Sequence, residues 1–323
     1  MQGIPRFLLR MLGFTAFCVI VYPPLIVVFS AIAPDGIVPN IRYPLNGYGH
    51  LRTRMAEVEG HGPVDIVFLG SSHAYRGFDP RIWARRGYSS FNLGSTDQTF
   101  LQTELLLTAH ARDLRPRLVI LEVHPGPFLE TGIESALDVI ANRPIDQNTL
   151  GMASRLRHPY VLNAIAYGAI RQITGYDDRT AEPLRKNADM YINGGFVERV
   201  EGHFIPETPA IRVRIEPSFE QWAAFQRVLA DLRAQDIEFI LVEAPMTHWM
   251  NEGIYPDRAG FDSLMNASGR YLNMNGKVAL DDSLHFFTKE HLNQSGVELF
   301  NEALFDTLER RGWLPEAGGT ERP

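Results

Sequence analysis

The sequence predicts an α/β chain: a three-layer α/β/α, doubly wound parallel sheet carried behind an N-terminal transmembrane helix. Three observations predict it. Residues 11–33 contain no charged side chain. Three short runs, Val64–Leu69, Leu118–Val123 and Ile237–Ala244, are almost wholly apolar and rich in β-branched residues, and each stops at glycine or proline, as expected of strands covered on both faces. Segments of helical period separate these runs, and such alternation builds a parallel sheet between two helical layers.

The uncharged stretch from Met11 to Ala33 spans about 34 Å at the helical rise, enough to cross a hydrocarbon core. Pro23-Pro24 lies inside it and is expected to kink it, which membrane helices tolerate. Ala31-Ile-Ala33 has the small-x-small form of a signal-peptide cleavage site. The apolar run is longer than a signal core and Pro34 follows the cut, so an uncleaved anchor is preferred. Arg6, Arg10 and the amino terminus flank one side, whereas Asp35 and Arg42 nearly cancel on the other, which puts the N-terminus in the cytoplasm and the globular part outside it. The expected location is the inner (cytoplasmic) membrane, single-pass, with a periplasmic or other extracytoplasmic domain.

Residues 34–60, with Pro34, Gly36, Pro39, Pro44 and Gly47, read as a linker. The strand Val64–Leu69 then ends at Gly70-Ser-Ser72, followed by a turn at Phe78-Asp-Pro80 and a helix around Trp83. Ser89–Leu93 is a second strand ending at Gly94, Thr99–Asp113 a helix, and Leu118–Val123 a third strand stopped by His-Pro-Gly-Pro. Periodicity weakens across residues 129–217, an insertion or cap with helices near 136–141 and 161–173 and a hairpin beside Gly194-Gly195. It returns with a helix over 218–235, the strand Ile237–Ala244, a helix over 258–272, a short strand Val278–Leu280 and a last helix over 293–311. Residues 61–314 form the α/β domain, and 315–323 a flexible tail.

Composition, 45% hydrophobic and 21% charged with a net charge of −7 over 323 residues, is that of a folded acidic protein with room for a large core. No dense Lys/Arg run is present, so nucleic acid is not an expected partner. The single cysteine, Cys18, excludes an intramolecular disulfide.

The chemistry concentrates at strand ends, where open α/β sheets place their sites. Ser72 can be a nucleophile, and it needs a base, a group to orient that base, and oxyanion donors. Residues 281–291, Asp-Asp-Ser-Leu-His-Phe-Phe-Thr-Lys-Glu-His, offer two aspartates and two histidines at another strand end. Glu243-Ala-Pro-Met-Thr-His248 ends the fourth strand either as a wall of an acyl pocket or as a plain turn. His124, His248 and His285 lack the short spacing of a metal-ligating pair, so neither a metal nor another cofactor is expected.

These residues resemble the SGNH/GDSL hydrolases and acyltransferases. Phe68-Leu-Gly-Ser-Ser-His-Ala-Tyr-Arg-Gly-Phe-Asp-Pro80 resembles the family's first block, Asn92-Leu-Gly94 the second, and His291-Leu-Asn-x-x-Gly296 the last. The resemblance covers roughly residues 62–310 and implies an SGNH-hydrolase-like, flavodoxin-like sheet. It also implies Ser72 as nucleophile and His291 as base, with the N–H groups of Ser72 and Gly94 at the oxyanion beside Asn92. The family's acid stands three residues before its histidine, where this chain has Thr288; Asp282 stands three before His285. His291 is preferred as base, with Asp282 or Asp281 reaching it across the loop and His285 as the alternative. Glu122-Val-His-Pro125 occupies the place of the third block, so its asparagine donor has no counterpart. The same features resemble a membrane-anchored branch that works beside membrane-bound O-acyltransferases in teichoic acid D-alanylation and alginate acetylation. The implied function is an extracytoplasmic serine esterase or O-acyltransferase acting on an acylated glycan, polymer or lipid of the envelope. Its rival is a catalytically inactive SGNH-fold subunit that binds substrate or partner within a membrane acylation complex.

Overall fold

A computed structural model describes the chain except for residues 1–2, 35–36, 38–40, 42–46, 48, 176–180, 206–211, 257 and 318–323. Helix α1 (Gly3–Ile32) is 30 residues long, with Pro23 and Pro24 inside it. Its stretch Ile4–Ile32 is long and apolar enough to cross a membrane, with a mean hydropathy of 2.2 in its most apolar window. At about 1.5 Å per residue it measures about 45 Å, more than the roughly 30 Å hydrocarbon core.

The first part of the domain comprises α2 (Leu51–Glu59), β1 (Ile66–Leu69), α3 (Ser72–Gly77), α4 (Pro80–Arg85), β2 (Ser90–Asn92), α5 (Phe100–Leu114) and β3 (Leu118–Glu122). Helix α2 corrects the expected linker: Leu51, Arg54, Met55 and Val58 are buried, so the chain is already packed from residue 51. Much of 34–50 lies outside the described residues.

Next come α6 (Gly126–Leu129), α7 (Ile133–Asn142), α8 (Gln147–Leu156) and α9 (Pro159–Thr174), then a small antiparallel sheet of β4 (Arg185–Lys186), β5 (Asp189–Ile192) and β6 (Phe196–Arg199). The hairpin expected at Gly194-Gly195 is the β5–β6 turn, with both glycines at positive φ; a Cβ on Gly195 would stand 2.2 Å from the Asn92 carbonyl oxygen. Helix α9 receives the outer part of α1: the Tyr22 hydroxyl donates to Asn163 Oδ1 at 2.8 Å, and Ile26 and Ser30 are buried.

The chain closes with α10 (Phe219–Ala234), β7 (Glu238–Glu243), a π-helical turn (Trp249–Ile254), α11 (Ala259–Ser268), β8 (Tyr271–Asn273), α12 (Asp282–His285) and α13 (Gln294–Arg310). The fifth strand is therefore not Val278–Leu280. Gly269 ends α11 early, where a Cβ would strike the Phe239 ring at 2.7 Å, and the next residues pair with β7, Leu241 opposite Tyr271. The expected tail is also pinned at its start, because the Pro315 carbonyl accepts from Tyr88 at 2.8 Å.

The main sheet has the order β2-β1-β3-β7-β8 and is parallel throughout. Renumbered within that sheet the order is 2-1-3-4-5, the flavodoxin-like doubly wound topology. Alternate strand residues enter opposite cores: Val67, Leu69, Val119 and Leu121 face α5, α7 and α10, while Ile66, Phe68, Leu118 and Ile120 face α4 and α13. This two-sided burial is why β1 and the first four residues of β3 are apolar on both faces. Asp65, the exception just before β1, is consumed locally: its Oδ2 accepts from Ser89 N and Oγ at 3.0 and 2.7 Å, fixing the register of β2.

Candidate active site

Strand β1 delivers its C-terminal end to Gly70, whose φ of +145° and close pass over Glu122 exclude a side chain: a Cβ would lie 2.8 Å from Glu122 Cβ. Ser71 then caps α3, its Oγ accepting from His73 N at 3.2 Å. The first serine is thus structural. Ser72 opens the helix, where first-turn N–H groups are not used by the helix itself, and its side chain enters a cleft of about 660 Å³.

Ser72 and His291, 219 positions apart, meet in that cleft with Oγ 2.8 Å from Nε2. The last motif explains how the histidine is held. Asn293 caps α13, accepting from Gly296 N at 3.1 Å, while its amide donates to the Leu284 carbonyl at 2.8 Å. Gly296 is required because a Cβ there would sit 2.3 Å from the His285 carbonyl oxygen. The loop before the helix folds back as an antiparallel bridge, Phe286 opposite Leu292, with Phe287 N donating to the His291 carbonyl at 3.0 Å. The Phe287 ring stacks on His291 at 5.6 Å, and the guanidinium groups of Arg76 and Arg199 lie over Phe287 at 5.2 and 4.8 Å. Both arginines grip Asp189 of β5, at 2.7 and 3.1 Å. The insertion therefore reaches the base through a strapped hairpin.

Neither expected acid meets His291. Asp281 caps α12, accepting from Ser283 and Leu284 N–H groups at 2.9 and 3.0 Å. Asp282 turns to His248, accepting from its N–H at 3.0 Å and lying 2.9 Å from its Nδ1. His285 Nδ1 accepts from Asp281 N at 2.8 Å, which removes it from the serine. What stands at His291 Nδ1 is Thr288 Oγ1, at 2.9 Å; that oxygen also accepts His291 N–H at 3.1 Å. The acid's usual offset, three residues before the base, is thus occupied by a hydroxyl. Burial, the neighbouring His73 and then Arg76 push the His291 pKa well below its ordinary value, so the ring is neutral at physiological pH, in the state a general base requires.

The expected oxyanion residues divide. The Asn92 side chain faces inward, donating to the Ala74 and Phe78 carbonyls at 2.7 and 3.2 Å and accepting from Gly94 N at 3.0 Å. Gly94 N–H is therefore engaged by the turn, and the role of Gly94 is close passage: a Cβ would lie 2.9 Å from Tyr75 N. Among the three, Ser72 lines the cleft and Asn92 and Gly94 do not. Glu243 does not wall the cleft but joins Arg258, Tyr271 and Asn275 in a buried network; Met250 and Tyr255, beyond that segment, line it instead. Behind Ser72, sequence reasoning missed a buried group of His73, Glu122 and His124. Its one signal was the unusual Glu-x-His in place of the third block.

No family model and no curated protein matches the chain. Among solved structures, a candidate acylhydrolase from Bacteroides fragilis NCTC 9343 aligns with 82% of this chain and 98% of its own, at 11% identity and a TM-score of 0.40. A GDSL-like lipase from Bacteroides thetaiotaomicron VPI-5482 aligns with 82% of this chain and 100% of its own, at 12% identity and the same TM-score of 0.40. Likeness at this level leaves function to be read from the site itself.

Proposed function

We propose that this chain is a membrane-anchored serine esterase or O-acyltransferase acting outside the cytoplasm on an acylated envelope glycan, polymer or lipid. The observation that carries the reading is the 2.8 Å contact between Ser72 Oγ and His291 Nε2. In the tautomer that carries the proton on Nδ1, Thr288 Oγ1 accepts it and Nε2 is left as the acceptor for the serine proton. His291 takes that proton as Ser72 Oγ adds to the ester carbonyl, and the Ser72 N–H faces the developing oxyanion. Collapse expels the alcohol, which receives the proton from His291, and leaves an acyl-serine. Water or a sugar hydroxyl, deprotonated by the same ring, then takes the acyl group.

Helix α1 supports the anchoring: its uncharged stretch Met11–Ala33 supplies the roughly 20 residues that the hydrocarbon core needs, and Tyr22, which meets Asn163 at 2.8 Å, lies midway along it, so a span there requires that contact to open. Arg6 and Arg10 then lie on the cytoplasmic side. Work beside a membrane-bound O-acyltransferase fits this placement. Resistance to alkaline carbonate extraction, with the domain open to external protease, is expected; release by carbonate would exclude the anchor.

A second reading, an inactive binding subunit, is favoured by the absence, among the described residues, of a carboxylate at His291 Nδ1 and by the engagement of Gly94 N–H. One experiment separates the two. The full chain in detergent should be labelled by a serine-directed fluorophosphonate and should hydrolyse p-nitrophenyl acetate, and both should vanish in Ser72→Ala. A folded wild-type chain that neither labels nor hydrolyses rejects the enzyme.

A further inference from the structure

His73 enters at the start of α3, and Glu122 and His124 come from the end of β3 and the residues just beyond it. One ligand atom from each lies within 4.8 Å of the other two, and all three residues are buried, at 3%, 1% and 6% exposure. Tetrahedral zinc, with bonds of about 2.0–2.2 Å, sets its ligand atoms about 3.4 Å apart, so a modest contraction closes the set. The group is poorly satisfied by protein alone. His73 Nε2 is buried without a hydrogen-bond partner. The Glu122 carboxylate meets Ser71 Oγ at 3.4 Å, the Ser71 backbone N–H and His124 Nδ1 at 3.1 and 3.3 Å. No lysine or arginine pairs with it among the described residues. A buried carboxylate without a cation is costly.

We propose that His73, Glu122 and His124 bind one divalent transition-metal ion of the zinc type, a site that accounts for a buried carboxylate without a basic partner and for the buried His73 Nε2 without a hydrogen bond. Two imidazoles and one carboxylate suit zinc or cobalt rather than magnesium or calcium, which prefer all-oxygen sets. Three protein ligands leave a fourth position open. His73 and His124 line the same cleft as Ser72, so that position is available to water or to a substrate oxygen. The site does not rest on the esterase reading, because nothing in it requires Ser72 to react.

The test uses the full, tag-free chain in detergent, stripped with chelator and titrated with Zn²⁺ and Co²⁺. The expected result is one equivalent of metal per chain and visible cobalt bands of tetrahedral intensity. His73→Ala, Glu122→Gln and His124→Ala should each weaken zinc by more than about 100-fold, beyond the roughly 10- to 100-fold that loss of an outer partner costs, whereas Ser72→Ala should bind unchanged. X-ray absorption of the loaded wild type should show two imidazoles and one carboxylate, a readout that stands even if a variant fails to fold. A folded wild-type chain that takes up no stoichiometric metal overturns the proposal. So does binding that survives all three substitutions, or an absorption spectrum with a different ligand set.

Discussion

Replacing Thr288 by valine keeps the shape of the side chain and removes the one atom that meets His291 Nδ1, at 2.9 Å. In the resting state the ring loses a neutral hydrogen bond worth about 0.5–1.5 kcal/mol, and a poorly solvated Nδ1–H is left unpaired at about 1–3 kcal/mol. In the transition state the ring carries a full positive charge, and a hydrogen bond to a charged group is worth about 1.5–3 kcal/mol. Because the resting enzyme loses its hydrogen bond too, the net loss in kcat/KM is the difference between the charged and the neutral bond, about 1–1.5 kcal/mol, or about 5- to 13-fold. The assay is hydrolysis of p-nitrophenyl acetate by the full chain, with the Ser72→Ala rate subtracted. KM should change little, because Thr288 touches the base rather than the substrate. Thr288→Ser keeps the oxygen and should remain within a few-fold of wild type. Thr288→Asp places a carboxylate against the imidazolium, where two charges about 4 Å apart attract by about 4 kcal/mol at an effective dielectric of about 20, so it should meet or exceed wild type. Valine and serine variants both within twofold of wild type would refute the orienting role.

Two further predictions concern the scaffold. Asn301 is wholly buried, accepting from Trp83 Nε1 at 2.9 Å and donating to the Gly77 and Val297 carbonyls at 2.7 and 2.8 Å. Asn301→Leu strands these groups and should cost about 2–4 kcal/mol in chemical denaturation; a loss below about 0.5 kcal/mol would mean that they repair elsewhere. Glu104 receives Arg227 at 2.9 Å and Arg155 beside it. Despite partial burial, the two arginines hold its pKa below the usual carboxylate range. A depressed folded pKa means stabilisation present above the unfolded value of about 4.3 and lost as pH falls through the folded one. Glu104→Gln should therefore lower stability by about 1 kcal/mol at pH 7, the arginines being partly exposed, and converge on wild type in strong acid. A melting difference that persists unchanged at pH 2 would contradict this.

The sequence by itself determined the membrane-length helix, the apolar strands and the glycines that end them, because these depend on neighbours a few positions away. Continuous hydrophobicity over Ile66–Leu69 and Leu118–Glu122 has one physical solution, a strand with cores on both faces, and both strands formed there. The pairing of serine with histidine was legible for a similar reason: Ser72 directly follows β1 and His291 lies in the connection from β8 to α13, and a parallel sheet gathers such connections at the carboxyl ends of its strands. Local pattern failed where a short apolar run competed with a better-placed one, as Val278–Leu280 did with Tyr271–Asn273, since only pairing with β7 selects between them. It failed also for α2, whose buried face is seen only against α5 and α7. Tertiary structure alone decided which oxygen meets His291 Nδ1. Asp281, Asp282 and Thr288 all lie within ten residues of the base. The Phe286–Leu292 bridge, the cap of α12 and the pull of His248 then turn the aspartates away and leave Thr288 facing the ring. Burial likewise gathered His73 with Glu122 and His124, which lie about fifty residues further along the chain.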